Sequence, residues 1–430
     1  VRASGQRRPV VEELRPILRG LLGEDFPLRL RAWDGSEAGP PDSPATLVIR
    51  TPRAMRRFLW SPDELGLGRA YVSGDLDIEG DLYAALSLPD LLAAEERPDL
   101  SLSWPDRLGA VRTALRLRAV GLPPAPPPEE SRLRGRRHAL RRDADAIAHH
   151  YDVGNEFYRL VLGETMTYSC GYWPTPESTL DQAQEAKYAL IATKLGLRPG
   201  MRLLDIGCGW GGMVLHAARE HGVHAVGVTI STAQAELARK RVAEAGLSDL
   251  VEIRLQDYRE VSDGPYDAIS SIGMAEHVGQ EQLQVYANQV HGLLAPGGRL
   301  LNHAISRRPG PVMDPRRSFL VRYVFPDGEL HPLATTVDTL EQAGLEVRDV
   351  ESLREHYART CRAWVQRLDD RWDEAVELGG PGRARVWRLY LAASALAFEQ
   401  LRTGLNQVLA VRPDAQLRSG LPPTRGEWLG

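Results

Sequence analysis

The residues with the clearest chemical promise sit in "MRLLDIGCGWGG", residues 201–212. Leu203, Leu204 and Ile206 read as a buried strand that breaks into Gly207, Gly209, Gly211 and Gly212. Gly207, Gly209 and Gly212 keep the G-x-G-x-x-G spacing of a dinucleotide loop, in which bare backbone approaches a ligand closely. A purely structural glycine turn shares that spacing, so the neighbours must decide. A dinucleotide site needs a carboxylate at the end of the next strand for the ribose hydroxyls. Here that strand, "HAVGVTIS", ends in Thr229 and Ser231. The carboxylate comes earlier, at Asp205. Its charge is unfavourable beside a pyrophosphate and favourable beside a cationic amine. The loop also lacks the Lys-Ser/Thr ending of a nucleoside triphosphate site. A cofactor with an amine and a sulfonium but no phosphate suits these residues, and S-adenosylmethionine is that cofactor.

Such a loop needs a strand before it and a helix behind it. Strand candidates at 202–206, 223–229, 250–255, 266–271 and 298–304 alternate with helical stretches such as 232–246. That alternation predicts an α/β fold with right-handed crossovers and a mostly parallel sheet. The C-terminal "GRARVWRLYLAASALAFEQLRTG" reads as one long amphipathic helix. Ahead of these elements, "PLRLRAW" and "ATLVIRT" read as strands, and "TPRAMRRFLW" and "SPDELGLGRAYVSG" as helices capped by Ser or Thr. The seam between the two patterns is proline- and arginine-rich. We therefore expect a small α+β accessory domain over 1–120, which could bind lipid or membrane, a linker over 121–142, and a catalytic domain over 143–430.

At 430 residues, 43% hydrophobic and 26% charged, the chain has an ordinary globular composition with ample core. A net charge of −4 gives no overall attraction to nucleic acid. Three cysteines without zinc-like spacing predict neither a disulfide framework nor a metal site, and fit a reducing compartment. We see no apolar h-region of a signal peptide and no apolar run long enough to span a bilayer. Arginines crowd residues 107–142, and "RLGAVRTALRLRAVG" reads as a basic amphipathic helix of the kind that lies on anionic lipid. A solvated helix face paired with acids elsewhere is the competing explanation. Together these features place the protein in the cytoplasm, peripheral to the inner face of the membrane.

"LLDIGCGWGG" resembles the first motif of class I methyltransferases. With "HHYDVGNEFYRLVLGETMTYSCGYW", "GVTISTAQ", "IGMAEHVG", "LLNHAIS" and "REHYARTCRAW", in that order, the chain resembles the cyclopropane-fatty-acyl-phospholipid synthase family over about 145–410. That family includes mycolic acid cyclopropane synthases and enzymes that add methylene or methyl branches to acyl chains. The resemblance implies a Rossmann-like class I methyltransferase domain. It sets Gly207 and Gly209 against the methionine part of the cofactor, Asp205 at its amine, and Tyr168 and Ser169 closing over it. Thr229 and Gln234 would contact the ribose side, and Asp257 the adenine amine. The family often has Gly-Trp-Glu near this last position, where this chain has Asp257, Tyr258 and Arg259.

The implied chemistry is demanding. An isolated alkene has no proton that a base could remove before attack, so positioning against the sulfonium methyl in a dry pocket must carry the rate. Methyl transfer leaves a carbocation, which aromatic faces can stabilise by about 2 kcal/mol or more when desolvated. Tyr168, Tyr172 and Trp173 are near enough in sequence to serve, although Trp173 suits ordinary core better. One proton must then leave. In the resembled family a bound bicarbonate takes it, and its holders correspond to Cys170, Glu276, His303 and Tyr357, with the backbone at Ile305. Singly, each has a plainer explanation: buried thiol, helix start, core histidine, core tyrosine. Four in matching motifs favour the anion site. Cys208 reads as packing, and His149, His150 and His277 carry no assigned role.

The substrate implied is an unsaturated phospholipid acyl chain. The cation can close a cyclopropane, or shift a hydride and give an exocyclic methylene that a separate reductase could saturate. The C-terminal "FEQLRTGLNQVLAVRPDAQ" favours the branch linked to 10-methylene and 10-methyl fatty acids. Family members are often homodimers. Two other classes remain open: an inactive, lipid-binding methyltransferase fold, and a small-molecule N- or O-methyltransferase.

Overall fold

In the computed structural model the described residues are 8–14, 27–87, 112–117, 119–131, 154–310 and 314–429. They pack as two units. One comprises Val1–Glu130 with Met313–Val324 and Gly380–Leu396; the other comprises Ser131–Val312, Phe325–Gly379 and Ala397–Gly430. The boundary at 130 falls within the proline-rich seam. Most of the arginine run, including Arg107, Arg118 and the cluster 132–142, lies outside the described residues, as do His149 and His150.

The first unit holds a sheet of β1 (Arg29–Arg31), β2 (Glu37–Ala38), β3 (Ala45–Ile49) and β4 (Leu76–Gly80), in the order β2-β1-β3-β4. Two helices follow β3. Thr51 caps the first, Pro52–Trp60, by accepting from Arg53 N at 3.2 Å. The second, Glu64–Val72, is capped by Asp63, which accepts from Gly66 N at 3.1 Å. The expected Ser/Thr cap there is corrected, because Ser61 ends the preceding helix instead. Glu130 is buried between Arg69, whose Nε and Nη2 each donate at 2.7 Å, and Arg322 Nε at 2.9 Å. These pairs tie the start of the seam and the 313–324 segment into this unit.

The second unit is a seven-stranded sheet ordered β10-β11-β9-β8-β5-β6-β7. Its strands are β5 (Arg202–Ile206), β6 (His224–Thr229), β7 (Val251–Leu255), β8 (Tyr266–Ile272), β9 (Leu294–Arg307), β10 (Glu346–Ser352) and β11 (Thr403–Val411). The five strands foreseen in sequence, β5 to β9, pair in parallel; β11 runs antiparallel between β9 and β10. Successive side chains face opposite sides. Leu203 therefore joins one core with Ile191, Leu195 and Val214, while Leu204 and Ile206 join another with Tyr286 and Val290. With both faces covered, the strand ends remain for function.

The single C-terminal helix expected over 382–404 is present from 382 to Glu399, and only its end is corrected, because Thr403 already begins β11. Helix runs from Trp372 to Glu399 and breaks at Gly380, whose φ of 78° and ψ of 159° precede Pro381. At its end Leu401 adopts φ 59°, and Arg402 N bonds back to Ala397 O at 2.9 Å. This left-handed stop releases the chain into β11.

Candidate active site

The glycine loop closes directly over the end of β5. Gly207 (φ 77°) and Gly209 (φ 54°) take a left-handed backbone that side chains resist. The amides of Gly207 and Cys208 both donate to Val228 O at 3.0 Å, which moors the loop to β6. Gly212, the first residue of the Gly212–His221 helix, has a different constraint: a Cβ there would lie 2.0 Å from the Tyr188 hydroxyl. Asp205 is buried one residue before the strand ends and accepts Ser270 Oγ at 2.7 Å. Burial raises its pKa to about 6, opposed by that hydrogen bond and by the charge of Lys187. A desolvated carboxylate next to bare glycine backbone fits a cationic amine and repels phosphate.

The residues expected at ribose and adenine lie at the next two strand ends. Thr229 and Gln234 are both buried, and Thr229 Oγ1 donates to Gln234 Oε1 at 2.8 Å. They thus form a fixed polar pair rather than a loose strand end and an exposed helix face. Ser231 caps the Thr232–Glu244 helix by accepting from Gln234 N. Asp257 is committed differently: its carboxylate accepts from Arg259 N, Nε and Nη2 at 2.9, 2.8 and 2.7 Å. The departure Asp257–Tyr258–Arg259 therefore contains a closed ion pair where the family motif implies an adenine contact.

The "TYSC" segment follows Met166, whose φ of 51° is unusual for a non-glycine residue. The Tyr168 ring lies 5.9 Å from that of Tyr158 and 5.5 Å from that of Trp364. Tyr158 in turn packs 4.9 Å from Trp210 of the glycine loop. Tyr172 stacks on His356 at 4.9 Å. Trp173 is buried, and its indole donates to His356 O and Thr360 Oγ1 at 3.1 and 3.0 Å, in keeping with a core role. Two residues missed in sequence grip Ser169 from the Leu180–Leu195 helix. Gln184 Nε2 donates to Ser169 O and Lys187 Nζ to Ser169 Oγ, each at 2.9 Å. Their signal was available: residues 184, 187, 191 and 195 follow helical spacing on one face.

Of the four residues assigned to an anion, Glu276 follows β8 and is held by β9, His303 lies within β9 opposite the last residue of β8, and Cys170 and Tyr357 lie by Leu353, which bonds to β11. Ile305 N donates to Glu276 Oε1 at 2.7 Å, so this amide holds Glu276 rather than standing open. Glu276 Oε2 is buried, with no hydrogen-bond partner among the described residues. Burial raises the Glu276 pKa to about 7. His303, two residues before Ile305, pairs in register with Gln407, whose Nε2 lies 3.2 Å from His303 Nδ1. With the amide nitrogen so placed, Nδ1 accepts and the ring hydrogen sits on Nε2. That Nε2 is also buried and unpartnered, and burial keeps the ring neutral by lowering its pKa well below the usual value.

The Cys170 thiol donates to Gly171 O at 3.1 Å, with Leu353 O farther off at 3.8 Å; Leu353 O also accepts the backbone amide of Tyr357, at 3.1 Å, in the first turn of the Arg354–Asp370 helix. Leu353 N donates to Leu405 O, and Leu405 pairs in register with Ile305. Burial pushes the Cys170 thiol well up, so it is a neutral donor and not a nucleophile. Tyr357 packs at 4.5 Å against Phe398. Cys208 and Cys361 are buried free thiols, and His277 lies edge-on to Phe325 at 5.6 Å.

A family model described as mycolic acid cyclopropane synthetase matches residues 138–408. The chain belongs to that family. It is 46% identical over 406 residues to the probable fatty acid methyltransferase Rv3720 of Mycobacterium tuberculosis, covering 92% of this chain and 93% of that one. It is 36% identical over 417 residues to the tuberculostearic acid methyltransferase UfaA1 of the same organism, covering 92% and 91%. The structure of the mycolic acid cyclopropane synthase CmaA1 complexed with SAH and CTAB matches with a TM-score of 0.58 and 32% identity, over 62% of this chain and 97% of that one. The fold of the family member described here is the α/β class I methyltransferase fold, and the chain is a fatty acyl-modifying enzyme of that family.

Proposed function

We propose that this enzyme is an S-adenosylmethionine-dependent C-methyltransferase acting on the cis double bond of an unsaturated acyl chain of membrane phospholipid. Bicarbonate serves as the base, and the product is a methylene-branched chain that a separate reductase saturates. One observation carries the base assignment. Among the described residues, His303 Nε2, on β9 opposite the last residue of β8, and Glu276 Oε2, in the turn that follows β8, are both buried with no hydrogen-bond partner. Bicarbonate, with an anionic oxygen and a hydroxyl, complements both. Unsatisfied buried polar atoms are rare in native proteins and call for a ligand.

When bound, S-adenosylmethionine supplies an electrophilic methyl and bicarbonate accepts the proton released from the product cation. The chain's residues do the rest. Asp205 orients the cofactor amine, while Gly207 and Gly209 let its methionine part approach the backbone. Tyr168, packed between Tyr158 and Trp364, is the aromatic ring that would face the product cation. Glu276, fixed by Ile305, accepts the anion's hydroxyl and turns its basic oxygen toward the substrate. His303, the Cys170 thiol and the Tyr357 hydroxyl supply donors. Similarity to fatty acid methyltransferases over the full length supports acyl substrates, and UfaA1 favours the branched product.

The test is incubation with S-adenosylmethionine and dioleoyl phosphatidylglycerol vesicles, followed by release of the fatty acids. The cyclopropane and methylene products both gain one CH2 and share a mass. Proton NMR separates them, by shielded ring protons or by vinylidene protons. Ring protons would establish the cyclopropane route. Recovery of unchanged oleate, with cofactor bound, would remove the acyl reading.

A further inference from the structure

Lys187 is fully buried, halfway along the Leu180–Leu195 helix, and no catalytic step above uses it. Its Nζ donates to Ser169 Oγ at 2.9 Å and lies 3.9 Å over the Tyr188 ring. Among the described residues no carboxylate forms an ion pair with it. A buried ammonium with one neutral acceptor is costly. Its charge is felt by Asp205, and the attraction is mutual. Burial lowers the Lys187 pKa to about 7, and in its ammonium form the side chain has three donors and no acceptor, so Ser169 Oγ then accepts and the hydroxyl hydrogen of Ser169 points elsewhere. Ser169 cannot turn away, because Gln184 holds its carbonyl at 2.9 Å.

We propose that Lys187 is a positioning residue that fixes Ser169 as a hydrogen-bond donor toward the carboxylate of the cofactor's amino-acid end. Asp205 takes the amine and the Lys187–Ser169 pair takes the carboxylate, so the two halves of the zwitterion meet opposite charges. The inference rests on the cofactor reading above. It also accounts for the buried amine: a ligand carboxylate against Ser169 favours the ammonium form, which burial disfavours, an effect that Asp205 and Glu185 only partly offset.

The experiment compares two probes by calorimetry, S-adenosylhomocysteine and 5′-methylthioadenosine, which lacks the amino-acid end. Lys187→Met should weaken S-adenosylhomocysteine by about 10- to 100-fold and leave methylthioadenosine within about 2-fold. Ser169→Ala, a small change that the fold tolerates more easily, should show the same discrimination. Lys187→Met added to Ser169→Ala should cost little more, since the two act as one device. Equal losses for both probes would mean a general structural role and overturn the proposal. So would undiminished S-adenosylhomocysteine binding by either variant. If the parent protein binds neither probe, it is the cofactor reading itself that fails.

Discussion

The Ile305 amide holds Glu276 by one carboxylate oxygen, at 2.7 Å, and leaves the other buried and unpartnered. This arrangement separates the two jobs of the side chain. Oε1 fixes orientation through the backbone of β9, and Oε2 is the acceptor left for chemistry. Glu276→Gln keeps the shape but removes the carboxylate. Turnover should fall by roughly 10²–10⁴, the range for loss of general-base function, while S-adenosylhomocysteine affinity stays within a few fold. Because burial raises Glu276 to about 7, the parent's kcat/KM should climb as pH rises through that region. The variant's profile should lack this limb. A parent profile flat from pH 6 to 8, with turnover indifferent to added bicarbonate, would count against the anion site.

The same shift has a consequence for stability. The folded-state value, about 7, lies above the usual 4.5, so the folded protein favours the neutral carboxyl. This contribution is fully present below the unfolded value and is lost as pH rises through about 7. The parent should lose roughly 2–4 kcal/mol of stability from this group between pH 4.5 and 8. Glu276→Gln should lack that part of the pH dependence. Denaturant melts of both proteins across this range would show it; parallel curves would indicate that Glu276 does not titrate there.

Asp205→Asn tests the amine. The amide can still accept from Ser270, so the strand end should survive, but the charge is gone. S-adenosylmethionine should bind about 10- to 100-fold more weakly, the loss of one charge-assisted hydrogen bond of about 1.5–3 kcal/mol. Calorimetry giving the parental affinity would remove Asp205 from the amine.

How much of this was legible beforehand follows from where the signals are local. The strand β5 and its loop were readable because an apolar run and its glycines are contiguous. The motifs singled out Glu276 and His303, which the structure places in the turn after β8 and within β9 opposite the last residue of β8. β10 and β11 were not foreseen. The sequence "EVRDVES" carries three acidic residues and an arginine, as an edge strand can, and "GLNQVLAV" follows a helical pattern whose stop depends on Leu401 turning left-handed. Hidden for the same reason was Gln407, which sets the His303 tautomer from across the β9–β11 register. Lys187 followed a helical stripe, but a lysine on a core face is read as a boundary residue until a partner such as Ser169 is seen.

Gly212 provides a steric test independent of any ligand. A Cβ there would meet the Tyr188 hydroxyl at 2.0 Å, and that hydroxyl bonds Thr167 Oγ1 at 2.8 Å. Gly212→Ala should destabilise by about 1–3 kcal/mol, the usual cost of overpacking. Tyr188→Phe should relieve part of that penalty in the double variant, because the closest atom is removed. Additive losses in a double-mutant cycle of thermal melts would show that the two residues do not compete for this space.

The remaining prediction concerns the membrane. With a net charge of −4, attraction to anionic lipid has to be local. In the first unit Trp60 is 59% exposed and Leu122 84%, and the Trp60 indole donates to Gly121 O at 3.0 Å. Arg112 and Arg116 are exposed in the same unit, and among the described residues Arg116 makes one long contact, 3.9 Å, with Glu13. Exposed aromatic and aliphatic side chains and exposed cations both suit the headgroup boundary. Each arginine near an anionic surface is worth about 1 kcal/mol, so Arg112→Gln with Arg116→Gln should weaken vesicle binding roughly 30-fold. Activity on detergent-solubilised lipid should stay close to the parent's, since neither residue belongs to the cofactor or anion site. Sedimentation with phosphatidylglycerol and with phosphatidylcholine vesicles checks both halves. The loss should be confined to the anionic vesicles and shrink as salt is added. Equal binding by parent and variant would mean that these arginines form an ordinary solvated face.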